Sequence, residues 1–255
     1  MVIPRFQLFE FEDQVWFPSL IRGFMTDYLQ FVADKFDFYE PLTPTLIGLL
    51  ERTKTSSIVD LASGSGGGWS KMLPRLNDEK PEVKVTCTDF FPNNSSDSPP
   101  SLTYLDSPVD AREVPSDLPG LRTMFLSFHH FRPSDASLIL ESALRDNQPI
   151  FIVEAQKRDI SHLIRFALSP LFVLLLTPLI RPFSLSRILF TYLIPIIPVF
   201  VWWDGIVSVL RTYSPMELIG MAEKIDSNEL YEWEFSEIVN KGVTLLTFSG
   251  MPKEK

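Results

Sequence analysis

The chain has 255 residues, 45% of them hydrophobic and 22% charged, with a formal net charge of −9 at pH 7. That length suits one α/β domain with an elaboration, and the acid excess argues against a nucleic-acid groove, which needs a basic footprint. A single cysteine, Cys87, excludes an intrachain disulfide and offers no zinc cluster, so a reducing compartment is expected. Glu10, Glu12 and Asp13 interrupt the N-terminal stretch, which does not read as a secretory signal.

Residues 19–36 place Leu20, Ile21, Phe24, Met25, Tyr28, Leu29 and Val32 at helical spacing, with Asp27 and Lys35 on the other side. A second helix is expected after Pro44, through Leu46, Leu49 and Leu50. The chain is organised around residues 56–68, SSIVDLASGSGGG. Ile58 and Val59 read as the end of a buried parallel strand, and Asp60 closes it. Gly64, Gly66, Gly67 and Gly68 then turn the chain into a helix that starts near Trp69. Such a turn lets a ligand approach the main chain while the amides at the helix start face it. This is the nucleotide-binding corner of a doubly wound sheet. Trp69 stands where a dinucleotide fingerprint needs Gly or Ala, and no P-loop pattern is present.

The pattern that is present, D-x-x-x-G-x-G in Asp60, Gly64 and Gly66, resembles the first motif of class I S-adenosylmethionine-dependent methyltransferases. The resemblance implies a mostly parallel seven-stranded, Rossmann-like sheet. It also implies that Asp60, Ala62, Ser63, Gly64, Ser65 and Gly66 pass under the amino-acid end of S-adenosylmethionine. In this light the N-terminal helices resemble the family's lid; packing on the sheet edge explains them equally well.

Residues 83–88 alternate as a second strand and lead to Asp89, whose carboxylate can accept two hydrogen bonds from a ribose diol, with Phe90 placed to lie against adenine. A loop follows over residues 91–100, then a short third strand over 102–105. Asp110 and Ala111 resemble the Asp-Ala pair with which many members of the family hold the adenine edge; Asp106 competes for that role. A fourth strand, 121–128, runs into Ser127-Phe128-His129-His130-Phe131. In the family this turn passes the methyl-bearing sulfur. His129 or His130 is suited to take a proton from a substrate hydroxyl, or else to hydrogen-bond the backbone and shape the pocket. A helix over 134–144 and a strand over 149–154 complete the parallel part. Ser214 and Glu217 form a capping box for a helix over 215–225, and strands over 231–238 and 243–250 read as an antiparallel closing pair.

Residues 159–211 interrupt this series with two apolar runs, FALSPLFVLLLTPLI (166–180) and ILFTYLIPIIPVFVWW (188–203). Pro170, Pro178, Pro195 and Pro198 break them, and neither reads as a clean span of the ~20 residues a bilayer needs. With Arg165, Arg181, Arg187 and Arg211 at the margins and Trp202 and Trp203 at one end, a patch dipped into one leaflet is expected over residues 166–203. An apolar subdomain or a dimer interface is the alternative. Asp204 is a candidate for a raised pKa or for an ion pair with Arg211, the pair being the plainer expectation.

The sequence therefore reads as an N-terminal helical lid (1–55), a cofactor-binding α/β core (56–158), an apolar membrane-facing insertion (159–212) and a C-terminal helix with closing strands (213–255). The expected activity is methyl transfer from S-adenosylmethionine to a lipophilic small molecule or lipid, with no metal and no nucleic acid, on the cytoplasmic side of a membrane as a monotopic or peripheral protein, or as an integral hairpin. Its rivals are a non-catalytic scaffold on the same fold and a nicotinamide-dependent lipid reductase. Trp69 and the spacing from Asp60 speak against the reductase.

Overall fold

Strand β1 (Ser57–Asp60) lies within a seven-stranded sheet of order β3-β2-β1-β4-β5-β7-β6. The structure, a computed structural model, describes residues 3–64, 66–92, 101–240 and 243–253. The chain forms two compact units, one of residues 38–155 and 214–255 and the other of residues 1–37 and 156–213.

In the sheet unit, β2 (Lys84–Cys87), β3 (Leu102–Tyr104), β4 (Leu121–Phe125) and β5 (Ile150–Glu154) run parallel to β1. β7 (Val243–Pro252) enters antiparallel beside β5 and pairs with β6 (Tyr231–Asn240) as a hairpin. This is the doubly wound, mostly parallel seven-stranded arrangement the sequence leads one to expect, including the antiparallel closing pair. Because both faces of a parallel sheet are covered, Ile58, Val59, Leu121, Ile150, Phe151, Ile152 and Val153 are all buried. Arg122 is an exception to this apolar pattern; its buried guanidinium donates to Asp146 at 2.7 Å and to Ser142 at 3.1 Å. The helices of this unit are α2 (Thr43–Thr53), α3 (Trp69–Glu79), α4 (Pro133–Arg145) and α9 (Pro215–Ile225), the last opened by the expected Ser214–Glu217 capping box.

The strand order reverses between β2 and β4, on either side of β1. Such a switch point opens a crevice at the carboxyl ends of the strands. β4 stops at Phe125, short of the expected 128, because Leu126 takes φ 53° and residues Phe128–His130 form a 3-10 turn. That early stop releases the histidines from the sheet.

The other unit gathers α1 (Ser19–Phe36) and the helices inserted after β5: α5 (Ile160–Ala167), α6 (Ser169–Leu176), α7 (Leu185–Ile188) and α8 (Ile196–Arg211). The segment read as one lid over 1–55 is thus divided, residues 1–37 going with the insert and α2 with the sheet. Prolines punctuate the insert as their geometry demands. Pro170 sits in the first turn of α6, Pro178 in a 3-10 turn, and Pro195 opens α8 after a bend of 76°. Phe17, Ile21, Phe24, Met25 and Tyr28 form one core with Val173, Ile180, Ile197 and Val201.

Residues 3–17 are tied along α8. The Phe6 amide donates to the Leu210 carbonyl, and the Trp203 indole donates to the Phe9 carbonyl at 2.9 Å. Asp204 does not pair with Arg211. Its carboxylate accepts the amides of Phe11 (2.7 Å) and Glu12 (3.1 Å), while Arg211 pairs with Glu10 (3.1 Å) and Asp13 (2.7 Å). Burial pushes the Asp204 carboxyl up to about 6 against the pull of those two amides.

Candidate active site

The glycine turn is held from below by its neighbours in the sheet. Thr88 donates both its amide (2.8 Å) and its hydroxyl (3.0 Å) to the Asp60 carbonyl, and the Ser63 amide returns to the Thr88 carbonyl at 3.0 Å. The Thr123 hydroxyl donates to the Asp60 carboxylate at 2.6 Å. Asp60 is buried, and that burial lifts its carboxyl to about 7, with Asp89 adding to the rise and Thr123 opposing it. A side chain so enclosed braces the turn rather than facing a ligand.

Beyond Asp60 the chain takes positive φ at Ala62 (51°), Gly64 (54°), Gly66 (83°) and Gly67 (43°). Gly64 is exposed, and a Cβ placed on it would meet nothing within 4 Å. Gly66 differs, because a Cβ there would fall 2.0 Å from the Tyr104 hydroxyl. On Gly68 it would fall 2.2 Å from the Tyr39 ring. Two tyrosines therefore close over the inner glycines and leave Gly64 as the open part of the turn. Ser65 lies outside the described residues, as does most of the loop over 91–100.

Asp89 reaches the turn directly. Its Oδ2 accepts the Gly64 amide at 2.9 Å and its Oδ1 the Phe91 amide at 2.8 Å. A carboxylate has about four acceptor positions, so both oxygens keep capacity for a diol. Phe90 is exposed, its ring 5.1 Å from that of Phe91. The Val109 amide donates to the Asp89 carbonyl at 2.9 Å, which brings Asp110 and the buried Ala111 to the same end of the sheet. Asp110 is already engaged. Arg112 grips both its oxygens (2.6–3.1 Å) and also reaches Asp135 at 3.0 Å, holding the Asp110 carboxyl below the usual range.

At the end of β4, Ser127 and His129 are buried and His130 is half-buried. Glu154, the last residue of β5, accepts the His129 amide at 2.9 Å and lies 2.8 Å from His129 Nδ1. The two imidazole rings stand 4.3 Å apart. Phe125 lies beside them in the chain, edge-on to Tyr39 (5.8 Å) and to the buried Trp69 (5.4 Å).

The structure thus brings Ala62, Ser63, Gly64, Gly66, Asp89, Asp110 and Ala111 to the carboxyl ends of β1, β2 and β3, with Ser127, His129 and His130 at the end of the neighbouring β4. Tyr39, Tyr104, Thr123, Arg112 and Glu154 belong to the same constellation and escaped the sequence reading. Only Glu154 had a signal, a carboxylate ending a buried strand. A cavity of about 720 Å³ lined by Arg52, Lys54, Gly120, Gln148 and Lys253 opens at the other ends of the strands, away from all of these groups.

No protein-family model and no curated protein matches the sequence. Among solved structures, the chain is similar to the methyltransferase domain of the bacterial CtHen1, with 12% identity over 83% of this chain and 98% of that one, TM-score 0.48. It is similar to the plantazolicin methyltransferase BpumL, solved with a desmethyl analogue and SAH, with 13% identity over 92% of this chain and 98% of that one, TM-score 0.48. Human N-acetylserotonin methyltransferase, solved with SAM, shares 12% identity over 90% of this chain and 57% of that one, TM-score 0.47.

Proposed function

We propose that the chain is an S-adenosylmethionine-dependent methyltransferase whose acceptor is a lipophilic small molecule or lipid at a membrane surface. The observation that carries the first half is the Asp89–Gly64 contact. It ties a carboxylate at the end of β2 to an exposed glycine of a turn at the end of β1. That pairing suits a ligand with a diol on one side and a bare-backbone contact on the other.

The residues present fit the cofactor at most points. Ala62, Ser63 and Gly64 would take its amino-acid end, Asp89 the ribose, and Phe90 and Ala111 the base. Asp110 meets the adenine edge only if it shares or leaves Arg112. The cofactor supplies an electrophilic methyl; what this chain has to add is alignment and, for a hydroxyl acceptor, removal of a proton. His130, half-buried beside the fixed His129, is the better placed of the pair for that proton.

The second half rests on residues 166–203, whose exposed side chains are nearly all apolar. So large an apolar surface is a liability on a protein with a water-soluble acceptor and an asset on one that draws its acceptor from a bilayer. We place the protein on the cytoplasmic face of a membrane, as a monotopic or peripheral protein. The test is incubation with methyl-labelled cofactor and a membrane extract. Label in a lipid fraction supports the reading, and label confined to water-soluble acceptors removes the lipophilic half.

A further inference from the structure

Much of the insert turns apolar side chains outward. On the continuous path through α5 and α6, Ile164, Leu168, Leu171, Phe172, Leu175 and Leu179 recur at helical spacing, and all six are exposed, Leu175 by 71%. The stripe turned inward instead carries His162, Ser169 and Thr177 alongside Val173 and Ile180, all buried. The next stretch repeats the inversion. Leu185 and Leu193 are 76% and 77% exposed, whereas Arg187 and Thr191 are buried. Of the inward hydroxyls, Thr177 donates to the Val173 carbonyl and Thr191 to the Arg187 carbonyl, both at 2.7 Å, while the buried Ser169 hydroxyl makes no hydrogen bond. The terminal nitrogens of Arg187 donate to Asp27 (2.6 Å) and to the Ile180 and Pro182 carbonyls. A helix packed on a water-soluble core has the reverse polarity. Apolar side chains outside, with the polar ones turned inward, are what hydrocarbon selects.

Two further observations decide how such a layer meets hydrocarbon. The window from Ile160 to Leu179 has a mean hydropathy of 1.8 and is only 17% buried, so it is no core helix. Its inner side, however, is covered by Phe17, Ile21, Phe24 and Met25, the last three on α1, which also carries Arg22, Asp27, Asp34 and Lys35. Crossing a bilayer would drag those charges, and the Arg187–Asp27 pair, through its centre. We therefore infer that the α5–α8 layer lies in the plane of one leaflet, its Leu/Ile/Phe side in hydrocarbon and its α1 side in water. This deepens the membrane-surface reading above and rests on it, though not on methyl transfer.

The basic rim expected from the sequence shrinks at the same time. Arg187 and Arg211 are buried in ion pairs, which leaves Arg165 and Arg181 as its exposed members. Binding is thus dominated by apolar burial, which salt does not screen.

The full-length protein is floated with phosphatidylcholine vesicles, with and without phosphatidylglycerol. We expect flotation with both, persisting in high salt, and its loss in the Leu171→Ser/Leu175→Ser/Leu193→Ser variant, whose S-adenosylmethionine affinity stays within twofold of wild type. An environment-sensitive dye on Leu175→Cys or Leu193→Cys is expected to shift to the blue on vesicle binding, and the same dye on Lys35→Cys is not. An impermeant thiol reagent sealed inside the vesicles should leave Phe183→Cys, between α6 and α7, unmodified. Modification from the lumen would overturn the in-plane arrangement. So would absence of flotation, or a soluble dimer in which the Leu175→Cys dye is shielded without lipid. A protein that floats as described but transfers no methyl would contradict the functional reading alone.

Discussion

His129 and Glu154 are joined twice, amide to Oε1 at 2.9 Å and Nδ1 to Oε2 at 2.8 Å, with both side chains buried. The last residue of β5 thereby fixes both the backbone and the ring orientation of the turn after β4. A carboxylate can only accept, so Nδ1 is the donating nitrogen toward Glu154.

Glu154→Gln should therefore lower stability by about 1–3 kcal/mol, the scale of a buried charged hydrogen bond, because the amide cannot serve both donors. His129→Asn should do likewise. His130→Asn should leave thermal stability and cofactor affinity nearly unchanged and lower turnover. Turnover measured between about pH 6 and 8, where an ordinary histidine titrates, checks this. If both histidine variants keep full rate across that range, the turn is structural only.

The glycines of the turn separate by what surrounds them. Gly66→Ala should destabilise the fold and abolish cofactor binding, since its Cβ falls 2.0 Å from the Tyr104 hydroxyl at a φ of 83°. Adding Tyr104→Phe should recover part of the stability. Gly64→Ala meets no neighbour, so it should cost only about 1–2 kcal/mol for its left-handed backbone while still weakening the cofactor. Thermal melts and calorimetry on the three variants check the ordering.

Asp89 and Asp110 should not behave alike. Asp89→Ala is expected to weaken S-adenosylmethionine by roughly 1.5–3 kcal/mol, because it removes a ligand group and loosens the Gly64 amide together. Asp110→Ala should cost less, since Arg112 already occupies both its oxygens. Arg112→Gln should tighten binding through a released Asp110. An Arg112→Gln variant that binds more weakly than wild type would mean that the ion pair itself supports the site.

Asp60 supplies a pH dependence. An acid whose carboxyl is raised to about 7 on folding holds its proton more tightly folded than unfolded. Its contribution is present in full below the unfolded value near 4 and is lost as pH rises through 7. Asp60→Asn keeps an acceptor for Thr123 and does not titrate, so its stability relative to wild type should rise by a few kcal/mol between about pH 4 and 8. Chemical denaturation at several pH values would show this, and a flat difference would remove the burial account.

The alternation of strands and helices was legible because a covered parallel sheet needs continuous apolar runs, as in residues 150–153, and because glycines mark the turn after Asp60. The capping box at Ser214 was readable for the same local reason. Contacts across long separations were not. Nothing local in Tyr39 or Tyr104 says that they close over Gly68 and Gly66, nor that Asp204 would choose the amides of Phe11 and Glu12 over Arg211 seven residues away. The division of the N-terminal helices also escaped, since an amphipathic pattern in residues 19–36 shows that a face is buried without showing against what.

The most direct measurement is titration calorimetry of the intact protein with S-adenosylmethionine and, separately, with NADH. The account requires saturable binding of S-adenosylmethionine, weakened in Asp89→Ala and absent in Gly66→Val, and no binding of NADH. Binding of NADH, or wild-type affinity for S-adenosylmethionine in both variants, would contradict it.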